Sequence, residues 1–347
     1  MPFVANINSG RPRRYAVDQG RPTIYDVARR CGVAASTVSR TFSHPSRVNH
    51  ATREKVRAAA DEVGYLPRPL ARAEAPRRTR TITLVVTDIA NPYYAPLIKA
   101  AQSQALEKDY TLVLTDSDES PRVEVSNLRQ LLATTSGAIL ATSRLSDDVI
   151  RQIAQHRALV VINREIDGIP SLVVDTARGM RKAVRHLAAI GHRRIAYLSG
   201  PRNSWINSAR WRAVQEESGA LGLDAAFVGP HVPNLSGGHE AADALMLQRA
   251  TAAIAYNDLI AIGALQRLQT AGISVPADFS LIGCDDIFGA DLTTPGLTTI
   301  AGPTERLGRS AVDVLHAQLT HRTRTDSTLF DAHLVTRGST AAPRHDN

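Results

Sequence analysis

The chain has 347 residues, of which 43% are hydrophobic and 21% charged, so it is long enough for two or three domains with sizeable cores. Its two cysteines, Cys31 and Cys284, are too few and too far apart for a disulfide framework or a zinc cluster. No apolar stretch reaches the ~18 residues of a membrane helix, and residues 1–19 lack the apolar core of a secretory signal. We therefore expect a cytoplasmic protein that does not contact a membrane and needs neither a metal nor another cofactor.

The positive charge is concentrated near the N-terminus. Residues 1–80 contain 16 Lys and Arg but only 6 Asp and Glu, a net charge of +10, whereas the remainder of the chain carries −2. Such asymmetry indicates a polyanionic partner for the first quarter of the chain, although a solvated basic tail would show the same bias. Residues 1–21 mix Asn, Gly, Pro and Arg without periodicity, which predicts a disordered basic extension.

Residues 22–65 show the spacing of three short helices. Thr23 is placed to cap the first helix, and Asp26 in its first turn suits the positive end of the helix dipole. The predicted helices lie between Thr23 and Gly32, from about Ala35 to Phe42, and from Asn49 or Thr52 to Gly64. Three short helices with a tight glycine turn between the first two predict a helix-turn-helix domain.

A linker and a long alternating segment follow this domain. Residues 66–80 carry three prolines and five arginines, which is typical of a hinge or linker. From Ile82 to Gly283, short continuous apolar runs alternate with amphipathic helical segments, as in parallel sheets that are buried on both faces. About 250 residues of this pattern predict an α/β core with two doubly wound lobes rather than one.

Short motifs along residues 22–341 occur in an order and spacing that resemble the LacI/GalR-type family of bacterial transcription regulators. The motifs are Thr23-Ile24-Tyr25-Asp26-Val27-Ala28, Gly32-Val33, Ser36-Thr37-Val38-Ser39-Arg40, Gly64-Tyr65, Asn91-Pro92-Tyr93-Tyr94, Asn257-Asp258, Ser280 to Asp286, and Arg337-Gly338-Ser339-Thr340. The resemblance implies a periplasmic-binding-protein-like core at 81–341 and a tail at 342–347. Lobe 1 would comprise about 81–174 and 302–330, and lobe 2 about 175–301 and 331–341. It also implies a nucleoid-associated homodimer that binds a palindromic operator in double-stranded DNA under the control of a carbohydrate.

The second helix of a helix-turn-helix lies in the major groove, with its N-terminal residues facing base edges. Here those residues are Ala35, Ser36, Thr37 and Arg40, and the arginine is the one that can donate two hydrogen bonds to guanine. Other positions resemble family residues that hold phosphates, which set register rather than sequence preference. The predicted DNA-binding residues are Thr23, Tyr25, Ala35, Ser36, Thr37, Ser39, Arg40, Thr52, Leu70 and Arg72.

The linker departs from the family pattern at one position. Leu70-Ala71-Arg72-Ala73 fits the family's hinge helix, but Glu74 stands where an apolar residue, usually leucine, is expected to wedge between base pairs in the minor groove. The phosphates repel a carboxylate there. Either Leu70 serves instead, or the central kink is weaker, or the hinge works differently.

Two lobes of parallel sheet leave a cleft at the carboxyl ends of their strands, so ligand-binding groups should follow strands. Carboxylates accept hydroxyl hydrogen bonds, arginines donate a fork, and aromatic rings stack on a sugar face, so this set of residues suits a monosaccharide or a derivative. Asp285, Arg210 and Asn257 match the family pattern best. The predicted ligand-binding residues are Asp88, Asn91, Tyr94, Arg164, Trp205, Arg210, Asn257 and Asp285.

The sequence leaves three alternatives to compare with a normal regulator. An enzyme on a dinucleotide-binding fold would need a glycine-rich turn after the first strand, where Thr87-Asp88-Ile89-Ala90 stands, and no nucleophile elbow or metal-ligand spacing occurs. A secreted sugar-binding protein would need a signal peptide and would not need the basic head. Glu74 raises the third alternative, a degenerate regulator without normal operator binding. We expect a regulator that is not an enzyme.

Overall fold

The computed structural model describes residues 22–43, 45–65, 80–320 and 327–344. Contacts divide the chain into two compact units, Met1–Arg68 and Pro69–Asn347. The proposed basic extension at 1–21 lies outside the described residues, and so does the proposed hinge apart from Arg80. The predicted contacts of Leu70 and Arg72 and the question raised by Glu74 therefore stay as sequence-based expectations.

The first unit contains the predicted three helices. Its elements are α1 (Ile24–Cys31), α2 (Ala35–Ser43), a short 3-10 turn (Pro45–Arg47) and α3 (His50–Glu62). Val27, Val38 and Val56, one from each helix, are fully buried against one another. Gly32 ends α1 with φ of 66°, a left-handed conformation that glycine adopts at little cost and that permits the tight turn into α2. The predicted helix-turn-helix is confirmed.

Lobe 1 of the second unit is built on a six-stranded sheet that is parallel throughout. Its strands are β1 (Thr81–Val86), β2 (Thr111–Asp116), β3 (Gly137–Ala141), β4 (Ala158–Ile162), β5 (Ser171–Val174) and β11 (Thr328–Phe330), in the order β11-β5-β4-β3-β1-β2. Its helices are α4 (Tyr94–Glu107), α5 (Pro121–Leu131), α6 (Asp147–Ala154) and α11 (Thr304–Leu319). The four inner strands β1, β3, β4 and β5 are short and almost fully buried, because helices cover both faces of such a sheet, whereas the edge strands β2 and β11 are partly exposed.

Lobe 2 repeats the architecture with a four-stranded parallel sheet. Its strands are β6 (Arg194–Leu198), β7 (Asp224–Val228), β8 (Ala252–Ala255) and β9 (Ser280–Ile282), in the order β7-β6-β8-β9. Its helices are α7 (Thr176–Ala189), α8 (Trp205–Leu221), α9 (Leu235–Leu245) and α10 (Asp258–Thr270). The antiparallel pair β10 (Thr299–Ala301) and β12 (His333–Val335) forms a separate small sheet. The predicted two-lobed α/β core with doubly wound parallel sheets is confirmed.

The chain passes from one lobe to the other three times. It leaves lobe 1 after β5, returns to it after β10 to form α11 and β11, and leaves again before β12. The sequence pattern did not reveal the helix α11, nor the strands β5, β10, β11 and β12, which have only three or four residues and are too short to show a period. One hydrophobic core nevertheless runs through both lobes. Within the described ranges, no helix is long and apolar enough to cross a membrane.

Candidate functional site

The outer face of α2 carries most of the residues predicted to contact DNA bases. Val38 points into the core, so Ser36 and Arg40 are exposed on the opposite side, while Ala35 and Thr37 are half-buried. Arg29, Arg30 and Arg57 each pair with a carboxylate of the same unit. No such partner holds Arg40 in the described part of the chain, so its guanidinium is free to meet an outside group.

The residues predicted to hold phosphates also lie at the surface of this unit. Tyr25 is 66% exposed, Thr23 and Ser39 are exposed, and Thr52 is half-buried near the start of α3. The backbone N–H and the hydroxyl of Thr23 both donate to Asp26, at 2.8 and 2.7 Å. This exposed arrangement lowers the pKa of Asp26, first through the hydroxyl and backbone hydrogen bonds of Thr23. Asp26 therefore stabilises the start of α1 and positions Thr23.

The second candidate site is a cleft where the carboxyl ends of strands from both lobes meet. It encloses a cavity of about 20 Å³, which is room for about one water molecule, so a sugar would require some opening of the lobes. The lining residues from lobe 1 are Thr87, Asn91, Tyr93, Tyr94, Glu119, Thr142, Arg144 and Asn163, and those from lobe 2 are Ile206, Arg210, Pro233, Tyr256, Asn257 and Asp285.

On the lobe 2 side, Arg210 and Asp285 form a buried ionic pair. Their side chains are 5% and 9% exposed, and Arg210 Nη2 lies 3.4 Å from Asp285 Oδ1. Arg210 also donates to the carbonyl of Tyr256 at 2.5 Å and to the hydroxyl of Thr176 at 3.2 Å, and its guanidinium stacks on the Tyr256 ring. Asp285 has φ of 125°, a strained conformation for a residue with a side chain, and such strain is concentrated at functional sites.

Burial raises the pKa of Asp285 to about 7, although the charge of Arg210 opposes the shift, and the nearby Asp258 adds to it. Burial likewise raises the pKa of Asp258 to about 6, against hydrogen bonds from Thr299 and Ile287. Perturbed carboxyl groups of this kind are common in clefts that bind ligands. Of the two carboxyl groups, Asp285 lines the cavity and Asp258 does not, so Asp285 is the one that a ligand would meet.

A consequence for stability follows from the raised pKa of Asp285. The unfolded chain releases this proton near the ordinary value of 3.8, whereas the folded protein keeps it until about pH 7. The free energy of unfolding should therefore fall as the pH rises between these values, by on the order of a few kcal/mol from this group. Urea unfolding at several pH values should show that the free energy of unfolding falls less with rising pH in Asp285→Asn than in the wild type. In Asp286→Asn, at a partly exposed neighbour, it should fall as much as in the wild type. An equal fall in all three proteins would refute the raised pKa of Asp285.

The lobe 1 side of the cleft contains a second ionic pair, which the sequence did not reveal. Arg144 Nε donates to Glu119 at 2.6 Å, and the Arg144 side chain is 2% exposed. Its backbone N–H donates to the buried Glu124 at 2.9 Å, and its Nη1 donates to the carbonyl of Thr142 at 3.0 Å. Arg144 and Glu119 follow β3 and β2 as Asn91 follows β1, so the rule that polar groups follow strands, applied to every strand, would have found them.

Hydroxyl groups fill the space beside this pair. The Tyr94 hydroxyl hydrogen-bonds both Thr87, at 2.7 Å, and Thr142. The Tyr93 hydroxyl accepts from Asn163 Nδ2 at 2.8 Å. Burial raises the pKa of both tyrosines, so they stay protonated and can donate to a ligand oxygen.

Five of the eight predicted ligand-binding residues line the cleft, and three do not. The five are Asn91, Tyr94, Arg210, Asn257 and Asp285. Arg164 follows a strand as expected but turns away, because Asp147 accepts from it at 3.0 and 2.5 Å and two backbone carbonyls accept as well. Asp88 folds back to accept from the N–H of Ala90.

Helices α8 and α10 position three of the predicted ligand-binding residues of lobe 2. Trp205, the third predicted residue that does not line the cleft, is the first residue of α8 and packs against the core. Arg210 lies within α8. Asn257 caps α10, since its Oδ1 accepts from Ile260 at 2.9 Å while its Nδ2 donates to Pro233. Asn257 therefore shapes the cleft with an amide that is already engaged on both sides.

A two-lobed α/β core with a polar cleft, combined with a helix-turn-helix head, defines a ligand-binding regulator of the periplasmic-binding-protein type. Residues 184–340 match the model of the periplasmic binding protein-like domain, and residues 23–68 match that of bacterial regulatory proteins of the lacI family. The regulator DegA of Bacillus subtilis is 33% identical over 301 residues, which cover 83% of this chain and 88% of DegA. The chain belongs to the lacI family of bacterial regulatory proteins, and it is a DNA-binding transcription regulator.

Two solved structures of regulators match nearly the whole chain. The complex of the transcriptional regulator CelR with cellobiose has a TM-score of 0.71 and 27% identity, and the match covers 92% of this chain and all of CelR. The lac repressor dimer bound to operator and the anti-inducer ONPF has a TM-score of 0.68 and 26% identity, with 93% and 100% covered. Both alignments include the head as well as the core, as the coverage of this chain requires.

Proposed function

We propose that this regulator is a cytoplasmic repressor whose affinity for its operator is set by a sugar or sugar derivative bound between the lobes. The observation that carries the proposal is the pair of buried guanidinium–carboxylate contacts, Arg210 with Asp285 and Glu119 with Arg144, on opposite walls of one cleft. Paired donors and acceptors of this kind match neighbouring hydroxyl groups. The cellobiose held by the related CelR supports the same class of ligand.

Within the cleft, we assign effector contacts to Asn91, Tyr94, Arg210 and Asp285, with Arg144 and Glu119 from the opposite wall. Asn257 contributes by holding the start of α10 in place. Ligand binding changes the angle between the lobes, and residues 66–79 carry that change to the head. The coupling must be reciprocal, so an effector that weakens operator binding is weakened by operator to the same factor. The protein's role is binding and regulation rather than catalysis.

At the head, we assign base contacts to the N-terminal part of α2 and phosphate contacts to the residues around it. Arg40 reads a base, while Ala35, Ser36 and Thr37 make short-range or water-mediated contacts. Thr23, Tyr25, Ser39 and Thr52 hold phosphates and so fix the register of the helix on the groove. This assignment is supported by the exposure of Thr23, Tyr25, Ser36, Ser39 and Arg40 around a buried core.

The active form that we propose is a homodimer, because two heads match the two halves of a palindromic operator. Lobe 2 exposes four apolar side chains in two segments that approach α10: Val232 and Leu235 in the first, and Phe288 and Leu292 in the second. Gly263 of α10 lies against the carbonyl of Leu235, and Gly289 lies beside Ile262, which is also in α10. Both pairs of exposed apolar residues therefore lie next to this helix. An apolar patch of this kind is typical of a protein interface.

Phe288→Asp is expected to shift the dimer to monomer, because Phe288 is 83% exposed at this patch and a carboxylate there would be buried unpaired on association. Light scattering after size-exclusion chromatography should show a dissociation constant raised by at least about 10-fold. The matched control is Leu247→Asp, at an 85% exposed apolar residue beyond the far end of α9. If both variants remain dimeric, this patch is not the interface.

The proposed function is tested by adding a panel of sugars and sugar acids to the purified full-length protein. A sugar that raises the melting temperature and also changes operator affinity would support both the binding site and its coupling to DNA. The absence of any shift across the panel would overturn the carbohydrate assignment, while leaving the DNA-binding assignment to be judged by the operator assay alone.

A further inference from the structure

A second, larger cavity lies on lobe 2, outside the cleft between the lobes. Its volume is about 550 Å³, which is within the range of about 300–1,000 Å³ usual for small-molecule sites. It is lined by Ser199, Arg202, Asn207, Ser208, Trp211, Arg212, Gln215, Phe227 and Pro230. None of these residues lines the cleft, so a ligand here would be separate from the effector.

One wall of this cavity is aromatic and rigidly supported. Trp211 stacks on the fully buried Tyr197, with ring centroids 5.8 Å apart, and Phe227 meets Trp211 edge-on at 5.2 Å. The Tyr197 hydroxyl in turn donates to Asn207 at 2.9 Å. Phe227 is 46% exposed on β7, which is the edge strand of the sheet of this lobe. A planar ring placed against Trp211 and Phe227 would cover this exposed apolar surface.

The second feature of the cavity is its positive charge. Arg202 and Arg212 lie at its rim, and the lining contains no carboxylate. Some exposed arginines of lobe 2 have acidic partners, as Arg181 does in Glu216 and Arg267 in Asp243. Arg202 and Arg212 have none among the residues that the structure describes. Two unpaired guanidinium groups favour a phosphate or carboxylate, which each can bind with two hydrogen bonds.

Helix α8 separates the cavity from the cleft and contributes to both. Ile206 and Arg210, four residues apart, face the cleft, whereas Ser208, Trp211 and Arg212 face the cavity. Asn207 anchors this arrangement, since its Oδ1 accepts from the N–H of Gly200 at 3.0 Å and from the Tyr197 hydroxyl. The aromatic wall and Arg212 therefore lie on a helix and a strand of the core, whereas Arg202 and Pro230 lie in the loops that follow β6 and β7.

We propose that this cavity binds a second small ligand, a planar ring carrying an anionic group such as the phosphate of a mononucleotide or the carboxylate of an aromatic acid. The ring lies on the aromatic wall formed by Trp211 and Phe227. The anionic group lies between Arg202 and Arg212. This assignment goes beyond the proposed sugar response and does not depend on it.

The test is calorimetric titration of the full-length protein with four probes: adenosine monophosphate, indole-3-acetate, adenosine and inorganic phosphate. At least one of the first two should bind with a dissociation constant below about 1 mM. Adenosine, which has the ring without the anion, and inorganic phosphate, which has the anion without the ring, should bind at least about 10-fold more weakly. Binding of the nucleotide alone identifies phosphate as the preferred group, and binding of indole-3-acetate alone identifies carboxylate. Failure of both to bind, or equal binding of adenosine and the nucleotide, would overturn the proposal.

Variants locate the binding. Arg212→Gln should lower the affinity for the probe that binds by about 10-fold or more, because it removes a charged hydrogen-bond donor. Arg267→Gln, at a paired arginine on the same lobe, should leave this affinity unchanged. Binding must persist in Asp285→Ala, which damages only the cleft, so failure of the sugar proposal is distinguishable from failure of this one. Melting temperatures verify that each variant is folded. Loss of binding in Asp285→Ala, or its retention in Arg212→Gln, would place the probe elsewhere and contradict the assignment.

Discussion

Asp285→Ala is expected to abolish the response of operator binding to the effector, while operator affinity without effector stays at the wild-type level. Asp285 is the acceptor on the lobe 2 wall, and its pairing with Arg210 is part of the same buried network. Removing one member of a buried charged contact to a ligand costs about 2–5 kcal/mol, so effector affinity should fall by at least about 30-fold. The measurement is operator binding at increasing concentrations of a sugar identified in the panel.

Asp286→Ala is the matched control, because the neighbouring carboxylate pairs outside the cleft with Arg337 at 2.7 Å. Arg337 keeps Asp291 as a partner at 3.2 Å when Asp286 is removed, so this variant should respond like the wild type. Alanine at 285 leaves Arg210 buried with fewer partners, which lowers stability, so Asp285→Asn provides a second variant of nearly the same shape. If Asp285→Ala and Asp285→Asn both fold and still respond to effector, the residue is structural rather than a ligand contact.

Arg40→Ala is expected to relax base preference at one position of each half-site. The side chain is exposed on α2 and has no carboxylate partner in the described residues, so its two-pronged donor is available for a guanine. Losing such a contact reduces discrimination by about 1–3 kcal/mol, or roughly 5- to 150-fold in the ratio of specific to non-specific affinity. Binding to a set of operators that differ at single positions would reveal which position becomes tolerant.

The control for this experiment is Arg30→Ala. Arg30 belongs to the same unit but pairs with Glu62 of α3 at 2.6 Å, so its removal should leave the ratio of specific to non-specific affinity unchanged. If Arg40→Ala instead loses affinity equally for operator and for random DNA, Arg40 is a phosphate contact rather than a base contact. Salt dependence distinguishes these cases further, because only phosphate contacts release counterions.

Local features of the sequence were sufficient to predict the head. The apolar spacing through Val27, Val38 and Val56 and the turn at Gly32 are set by neighbouring residues, and the structure places all three valines in one core. The alternation of apolar runs with helices likewise predicted the doubly wound lobes, because burial on both faces leaves a continuous hydrophobic run in each strand. The three-residue strands β10 to β12 show no such run, since their place depends on pairing with distant segments.

The cleft shows the same division between local and distant causes. That Asp285 and Asn91 follow strands is visible in the sequence, and parallel topology then brings such positions to one edge. The direction of a long side chain is decided by partners far away in the chain. Arg164 follows a strand but turns to Asp147, whereas Arg144 turns into the cleft beside Glu119. Local residue patterns predicted most of the helices and strands and the polar groups at their ends, whereas tertiary packing fixed which charges meet, because an ion pair depends on the distance between two side chains in space.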